Sequence, residues 1–411
     1  MKNFIKGMGI GICIGIPLLL AVLFGLKAAG VFPSLPQNDA AQAETDGKTP
    51  EDGADADGDA DPDAAATDGS ADPDGSGSDD GASDPDGSDA EISKDPEAAA
   101  QADPDTILAF AGDVMFSEQY LAAYDQSGVS ALADAEMLSR MQEADLFLLN
   151  EEFPFSLRGE PMADKQFTFR TDPKYVRIFQ ELGADIVTVA NNHSLDFGRD
   201  AFCDTLDALD SAGIARAGGG FDLAEASSPV VRTVNGQTFA VFGATRVSPS
   251  YDWYATDSQA GIFQTYDPAR LNAAIGEARK TSDHVIVFVH WGIERNETPE
   301  EYQRTLAQGY IDAGADLVVG CHPHVLQGFE YYKGAPIIYS LGNYLFGNRT
   351  GDTLLLEADY TDGGAPAIRL VPCRRVDGVL SRIGDPSALY EKLTQLSYGV
   401  TVNEDGTLSA Q

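Results

Sequence analysis

The chain has 411 residues with 65 Asp+Glu against 27 Lys+Arg, a formal net charge of −38, and only five histidines and four cysteines. So acidic a chain excludes nucleic acid as a natural partner, since binding to phosphate needs a basic face. One cysteine lies in the first apolar run and the other three (Cys203, Cys321, Cys373) have no paired spacing, which argues against a disulfide scaffold.

From the N-terminus, Lys2 and Lys6 precede twenty residues without a charge, ending at Lys27. As a helix that run spans about 30 Å, the thickness of a bilayer's hydrocarbon core. The spacing predicts a cytoplasmic tail over 1–6 and an uncleaved transmembrane anchor over 7–26. The preceding lysines put the N-terminus inside and the rest of the chain outside, a single-pass cell-membrane protein with an extracellular domain. A cleaved signal peptide is the rival reading, because Ala28, Ala29 and Gly30 offer small residues for cleavage, but its apolar region is usually shorter. Cys13 follows Ile12 where a lipoprotein signal needs a small residue.

Residues 27–105 are built from Asp, Ala, Gly, Ser and Pro, and 39–105 hold 23 Asp+Glu against two Lys. Such a segment has almost nothing to bury, so the composition predicts a disordered tether. Residues 106–411 remain for one sizeable α/β domain.

There the apolar runs "TILAFAGDV", "ADLFLLNEE", "ADIVTVANN", "TFAVFGATR", "HVIVFVHWG", "ADLVVGCHPH" and "APIIYSLGNYLF" read as strands. Helical patterns lie between several of them: "SALADAEMLSRMQEA", "DPKYVRIFQELG", "DPARLNAAIGEARK" and "TPEEYQRTLAQGYIDAG". The last three open with Asp-Pro or Thr-Pro, a helix-start signal. Near-continuous apolar strands separated by helices predict a largely buried sheet.

Polar residues gather where these runs end. Asp113 ends the first, Asn150 and Glu152 the second, and Asn191, Asn192 and His193 the third; His290 and the pair His322 and His324 end two more. Four of five histidines thus follow an apolar run, while His284 begins one. Ligands of open α/β sheets bind beyond the carboxyl ends of the strands, so these groups are expected to converge. Carboxylates, amides and imidazoles without a thiolate suit Mn, Fe or Zn in a reactive rather than a structural site. More candidates than one tetrahedral shell needs suggests two ions, which serve hydrolytic displacement. Arg170 in "FTFRTDP" is a candidate for binding a phosphate or carboxylate, with a surface ion pair as the alternative. Trp253 and Tyr254 are expected to pack.

"FAGDVMF", "NEEFPFS", "ANNHSLDFG", "HWGIE", "GCHPHVLQGFE" and "IIYSLGNYLF" resemble, in that order, the motifs of the bacterial poly-γ-glutamate capsule synthesis (CapA) family, itself similar to the calcineurin-like metallophosphoesterases. The resemblance covers about Thr106 to Phe346 and makes 106–411 a CapA-like metallophosphoesterase-type domain. It implies a four-layer α/β/β/α sandwich and a role in making, anchoring or releasing an extracellular polyglutamate. Poly-γ-glutamate and other capsule synthesis membrane proteins are then the expected partners. By motif position, Asp113, Glu152, Asn192, His290, His322 and His324 are the implied metal ligands, and His193 the implied catalytic acid with Asp196 as its orienting partner. Either Glu151 or Glu152 fits the second motif, and spacing favours Glu152. The first phosphoesterase motif carries a histidine two residues after its aspartate, where this chain has Met115. One tight ion and a second, weak one are therefore expected. The activity expected is hydrolysis of a phosphoester or γ-glutamyl amide; the alternative is a non-catalytic, metal-containing polymer-binding or export component.

Overall fold

A computed structural model describes residues 106–347, 351–361, 364–376 and 378–411. The expected cytoplasmic tail, anchor and acidic tether at 1–105 lie outside the described residues. Among the described residues no helix is long and apolar enough to cross a membrane.

The protein is a mixed α/β fold. The strands are, in chain order, β1 (Ile107–Met115), β2 (Leu146–Glu151), β3 (Ile186–Thr188), β4 (Ala215–Ala217), β5 (Gly219–Gly220), β6 (Val230–Val234), β7 (Gln237–Thr245), β8 (Gly261–Ile262) and β9 (His284–His290). They continue with β10 (Leu317–Cys321), β11 (Phe329–Tyr332), β12 (Ala335–Ile338), β13 (Asn343–Phe346), β14 (Asp352–Asp359), β15 (Ala367–Val376), β16 (Val379–Arg382), β17 (Val400–Val402) and β18 (Leu408–Ala410). Among the described residues one sheet runs β16-β15-β14-β1-β2-β3-β4, with β13 also pairing on β1, and a second runs β11-β12-β10-β9-β7-β6. Strands β1 to β4 are mutually parallel, as are β7, β9, β10 and β12.

Side-chain alternation sorts each strand between two cores. On β1 and β2, Leu108, Phe110, Leu146 and Leu148 share a core with Phe239, Val241, Ile286, Phe288, Leu317 and Val319 of the second sheet. The opposite faces of the same strands bury Ala109, Ala111, Phe147 and Leu149 against Met137, Met141, Phe179 and Leu206 of the helices. The outer face of the second sheet packs Val285, Val287 and Val318 on Leu271, Ile275, Ala307 and Tyr310. Burying each Val, Leu, Ile, Phe or Met of these cores contributes about 1.5–3 kcal/mol.

The four expected helices form, with shifted ends. Asp134 caps Ala135–Glu143 through Met137 N at 2.9 Å, so the first starts later than its apolar pattern suggested. The second opens as a 3-10 turn, Pro173–Val176, before Arg177–Leu182. The others are Ala269–Ala278 and Glu301–Ala313. Helices at Glu118–Ser127, Arg199–Ala212 and Ser387–Leu396 were not expected, nor were strands β14 to β16.

Candidate functional site

Strand parity builds the site. Leu146 and Leu148 face the second sheet, so Asn150 and Glu152 continue on that side. The same even positions on β9, Ile286 and Phe288, carry His290 to the facing side. Odd positions of β1 would turn Asp113 away, but the register slips between Phe110 and Asp113 and swings its carboxylate inward. Gly112 makes the slip feasible: a Cβ there would lie 2.0 Å from the carbonyl oxygen of Gly342. The turn after β10 is held in uncommon backbone, with φ of 98° at His322 and 57° at His324. Left-handed geometry at non-glycine residues costs of order 1–3 kcal/mol and clusters at functional sites.

Asp113, Glu152 and His290 are fully buried, and His193 and His322 nearly so. Asn150 Nδ2 donates to Asp113 Oδ1 at 2.8 Å and to Glu152 Oε2 at 3.4 Å. His322 N reaches Asp113 Oδ2 at 3.2 Å, and His324 Nδ1 lies 3.3 Å from the same oxygen. Burial alone would raise the Asp113 pKa, but the hydrogen bond and charge of His324 hold it below the usual carboxylate range. His290 Nε2 contacts Asn192 Oδ1 at 2.8 Å. Burial pushes His290 well below its ordinary value and His322 down to about 3, so both are neutral and able to ligate.

Glu152 is different. Its Oε1 is buried without a hydrogen-bond partner. It lies 3.9 Å from Nε2 of His193, 3.9 Å from Nε2 of His290 and 3.8 Å from Nε2 of His324. These separations are too long for hydrogen bonds. Donors bound at about 2.0–2.2 Å to one cation stand roughly 3–3.5 Å apart, close to what is seen. His322 Nδ1 is likewise buried without a partner. One ligand atom from each of Glu152, His322 and His324 lies within 4.8 Å of the others, and the same holds for Asp113, His290 and Cys321. The orphaned atoms and the neutral imidazoles fit a divalent ion.

Beside this centre, His193 Nδ1 contacts Asp196 Oδ2 at 2.7 Å, and its ring stacks on Phe169 with centroids 4.2 Å apart. Burial lowers the His193 pKa, partly offset by Asp196.

All six candidate ligands and the His193–Asp196 pair thus lie in one contiguous cluster. Arg170 does not. It belongs to no strand and is exposed, donating to the carbonyls of Arg158 and Gly159 and lying over the Phe197 ring. Glu151 is buried with Oε1 unpartnered, but parity turns it away from Glu152. Asn343 contacts His324 Nδ1 at 2.8 Å.

Two residues escaped the sequence reading. Lys165 donates to Asn192 O and Asp196 Oδ1, and its Nζ lies 3.0 Å from His193 Nδ1 and 5.3 Å from the buried Trp253 ring. No regular element contains it, so no pattern marked it. Cys321 places Sγ 3.3 Å from His290 Nδ1, which puts a thiol beside a donor set expected to hold none. Its place directly before His322, at the end of an apolar strand, gives no sign of that contact.

Fold and centre together define a mixed α/β protein with carboxylates and imidazoles gathered at the carboxyl ends of parallel strands. The chain belongs to the bacterial capsule synthesis protein family PGA_cap, whose model matches residues 107–348. It is 31% identical to the PGA biosynthesis protein CapA of Bacillus subtilis, over 67% of this chain and 73% of that one. It is 30% identical to the capsule biosynthesis protein CapA of Bacillus anthracis, over 70% and 72% respectively. Among solved structures it is similar to the sulfate thiohydrolase SoxB of Thermus thermophilus, with a TM-score of 0.38 and 14% identity over 71% of this chain and 60% of that one.

Proposed function

We propose that this chain is a membrane-anchored, extracellular component of poly-γ-glutamate synthesis, anchoring or release, with a metal-dependent hydrolase-type centre. The observation that carries the reading is Glu152 Oε1, buried and unpartnered among three imidazole nitrogens at 3.8–3.9 Å. Burial raises the Glu152 pKa well above its ordinary value, and a cation among these donors would offset the cost of keeping the carboxylate ionised there. The relatives named for PGA and capsule biosynthesis support the polymer class. In this reading the packing of the two sheets and their helices is the four-layer α/β/β/α sandwich of metallophosphoesterase type. Residues 7–26 anchor the chain, 27–105 tether it, and other capsule synthesis membrane proteins are its neighbours.

Asp113, Glu152, Asn192, His290, His322 and His324 would hold one tight ion, with a second bound weakly, from among Mn, Fe and Zn. Such an ion would supply activated water and would polarise the oxygen of a phosphoester or γ-glutamyl amide. The remaining work falls to side chains. Asp196 fixes the His193 ring through Nδ1, which leaves Nε2 facing Glu152 as the atom that hands a proton to the leaving group. Phe169 covers the ring and limits its rotation.

One observation favours a second reading, a non-catalytic polymer-binding or export component. Met115, at the end of β1 and opposite Phe346 on β13, stands where the phosphoesterase pattern has a ligand. The test is turnover by the full chain loaded with Mn²⁺, Zn²⁺ or Fe²⁺, offered a phosphodiester, a phosphomonoester and a γ-linked glutamate oligomer. Metal-dependent turnover that Glu152→Gln abolishes is expected. Binding of the oligomer without turnover of any of the three would establish the second reading instead.

A further inference from the structure

On the far side of His324 lies an open cleft of about 430 Å³. His324 and Asn343 form the wall it shares with the centre, since the imidazole bonds Asn343 through Nδ1 and faces Glu152 through Nε2. In a strongly acidic chain this cleft collects three cations, Arg295, Arg375 and Lys392.

The two carboxylates in its walls are already engaged. Glu297 pairs with Lys392 at 2.6 Å, and Asp352 pairs with Arg374, also at 2.6 Å. Among the described residues neither Arg295 nor Arg375 has a carboxylate within ion-pair distance. Arg375 is held at its guanidinium and Arg295 at its backbone. Arg375 donates to Gly347 O at 2.7 Å and Gly378 O at 3.2 Å and lies over the Tyr120 ring. Arg295 takes left-handed backbone with φ of 62°, and its N–H bonds Pro323 O at 2.7 Å, which ties it to the turn that carries His322 and His324.

The opposite wall is the helix Ser387–Leu396, which presents Leu389, Lys392 and Leu393 at one-face spacing. The walls at Asp352, Arg375 and this helix lie beyond residues 107–348, the part that the family model matches.

We infer that this cleft is a subsite for successive carboxylates of an extended acidic chain. Arg295 and Arg375 take the carboxylates, and the apolar wall takes the methylenes between them. Guanidinium suits this task because its planar fork matches a carboxylate through two parallel bonds. Two guanidiniums on one cleft that have no carboxylate partner among the described residues are complementary to repeated charge on one chain. The inference rests on the proposed function for the identity of that chain, γ-linked glutamate, and for the bond presented to the face of His324.

The experiment measures binding of a fluorescein-labelled γ-linked glutamate octamer to the full chain in detergent by anisotropy, alongside metal content. Arg295→Glu, which changes an exposed side chain, is expected to weaken binding about tenfold or more with metal content unchanged. Arg375→Gln should weaken it in the same direction. Arg232→Glu, on the edge strand β6, should leave it unaltered. Octamer affinity in Arg295→Glu equal to that of the unaltered chain overturns the inference. So does inorganic phosphate that displaces the octamer at equal anion concentration, because the cleft would then be a simple anion hole. If the chain turns over the octamer and Arg295→Glu does so with unchanged KM, the cleft falls and the proposed function stands. If Arg295→Glu loses the octamer while nothing is ever hydrolysed, the cleft stands and the hydrolytic reading falls.

Discussion

The half-buried Lys165 and the fully buried Asp196 form an ion pair that also holds His193: the ammonium bonds one carboxylate oxygen, and the other contacts the imidazole Nδ1 at 2.7 Å. Asp196 Oδ2 accepts from Phe169 N as well, at 2.7 Å. Removing the ammonium leaves a fully buried carboxylate without its counterion. Lys165→Met should therefore destabilise the protein by about 3 kcal/mol, the low end for a broken buried pair because two other bonds to Asp196 remain. Chemical denaturation measures it, and a loss below about 0.5 kcal/mol would show that the pair contributes little.

His193→Ala should lower turnover of any accepted substrate by about 10²–10⁴, the usual contribution of a proton-transferring side chain. Metal content should hold, because Glu152, His290, His322 and His324 are untouched. Elemental analysis and initial rates on one preparation decide it; a fully active variant removes His193 from the chemistry.

For the metal itself, the purified full chain should carry closer to one ion than two, and Met115→His should raise that number. His322→Ala should abolish the tight site. Cys321→Ser should cost less, about 10–100-fold in affinity, as for a group that orients a ligand through a second contact. An unchanged metal content in His322→Ala would defeat the assignment.

Acid should destabilise the protein partly through Glu330. Its carboxylate accepts from Arg304 Nε at 3.0 Å, Gln308 Nε2 at 2.9 Å and Tyr339 OH at 2.7 Å. Burial alone would raise its pKa, but Arg304, Tyr339 and Gln308 outweigh that and hold it below its ordinary value of 4.5. With the native value below the unfolded one, the unfolded state binds more protons in acid. The contribution is fully present above the unfolded value and is lost as pH falls through the native one. Urea titrations across that window should show a shallower acid decline in Glu330→Gln than in the unaltered chain, and an equal decline would count against the assignment.

Topology is testable on intact cells. Added protease should cut within residues 27–105 and release a soluble product of about 300 residues, a size consistent with one large domain. Full protection of that product inside the cell would contradict an extracellular domain.

Much of this is legible in the amino-acid sequence alone. Apolar runs such as "HVIVFVH" predict strands because burial on both faces leaves no room for polar alternation, and polar residues directly after such runs mark strand ends. Six ordered motifs carried the family. Parity also separates Glu152 from Glu151, because side chains along a strand alternate by geometry alone. The ends of helices were less legible, since a cap such as Asp134 acts through one hydrogen bond and leaves the apolar pattern unchanged. Asp113 needed tertiary structure: its inward turn depends on a register slip against β2 and on Gly342 crowding Gly112. Lys165 reaches Asp196 from a segment without periodicity, and Arg295, Arg375 and Lys392 meet across stretches of chain that share no motif. Local sequence carries the preference of each residue for an element and a face. Which distant side chains share a pocket is set by how two sheets pack and where the connections cross, a property of long-range contacts that no short window of residues contains.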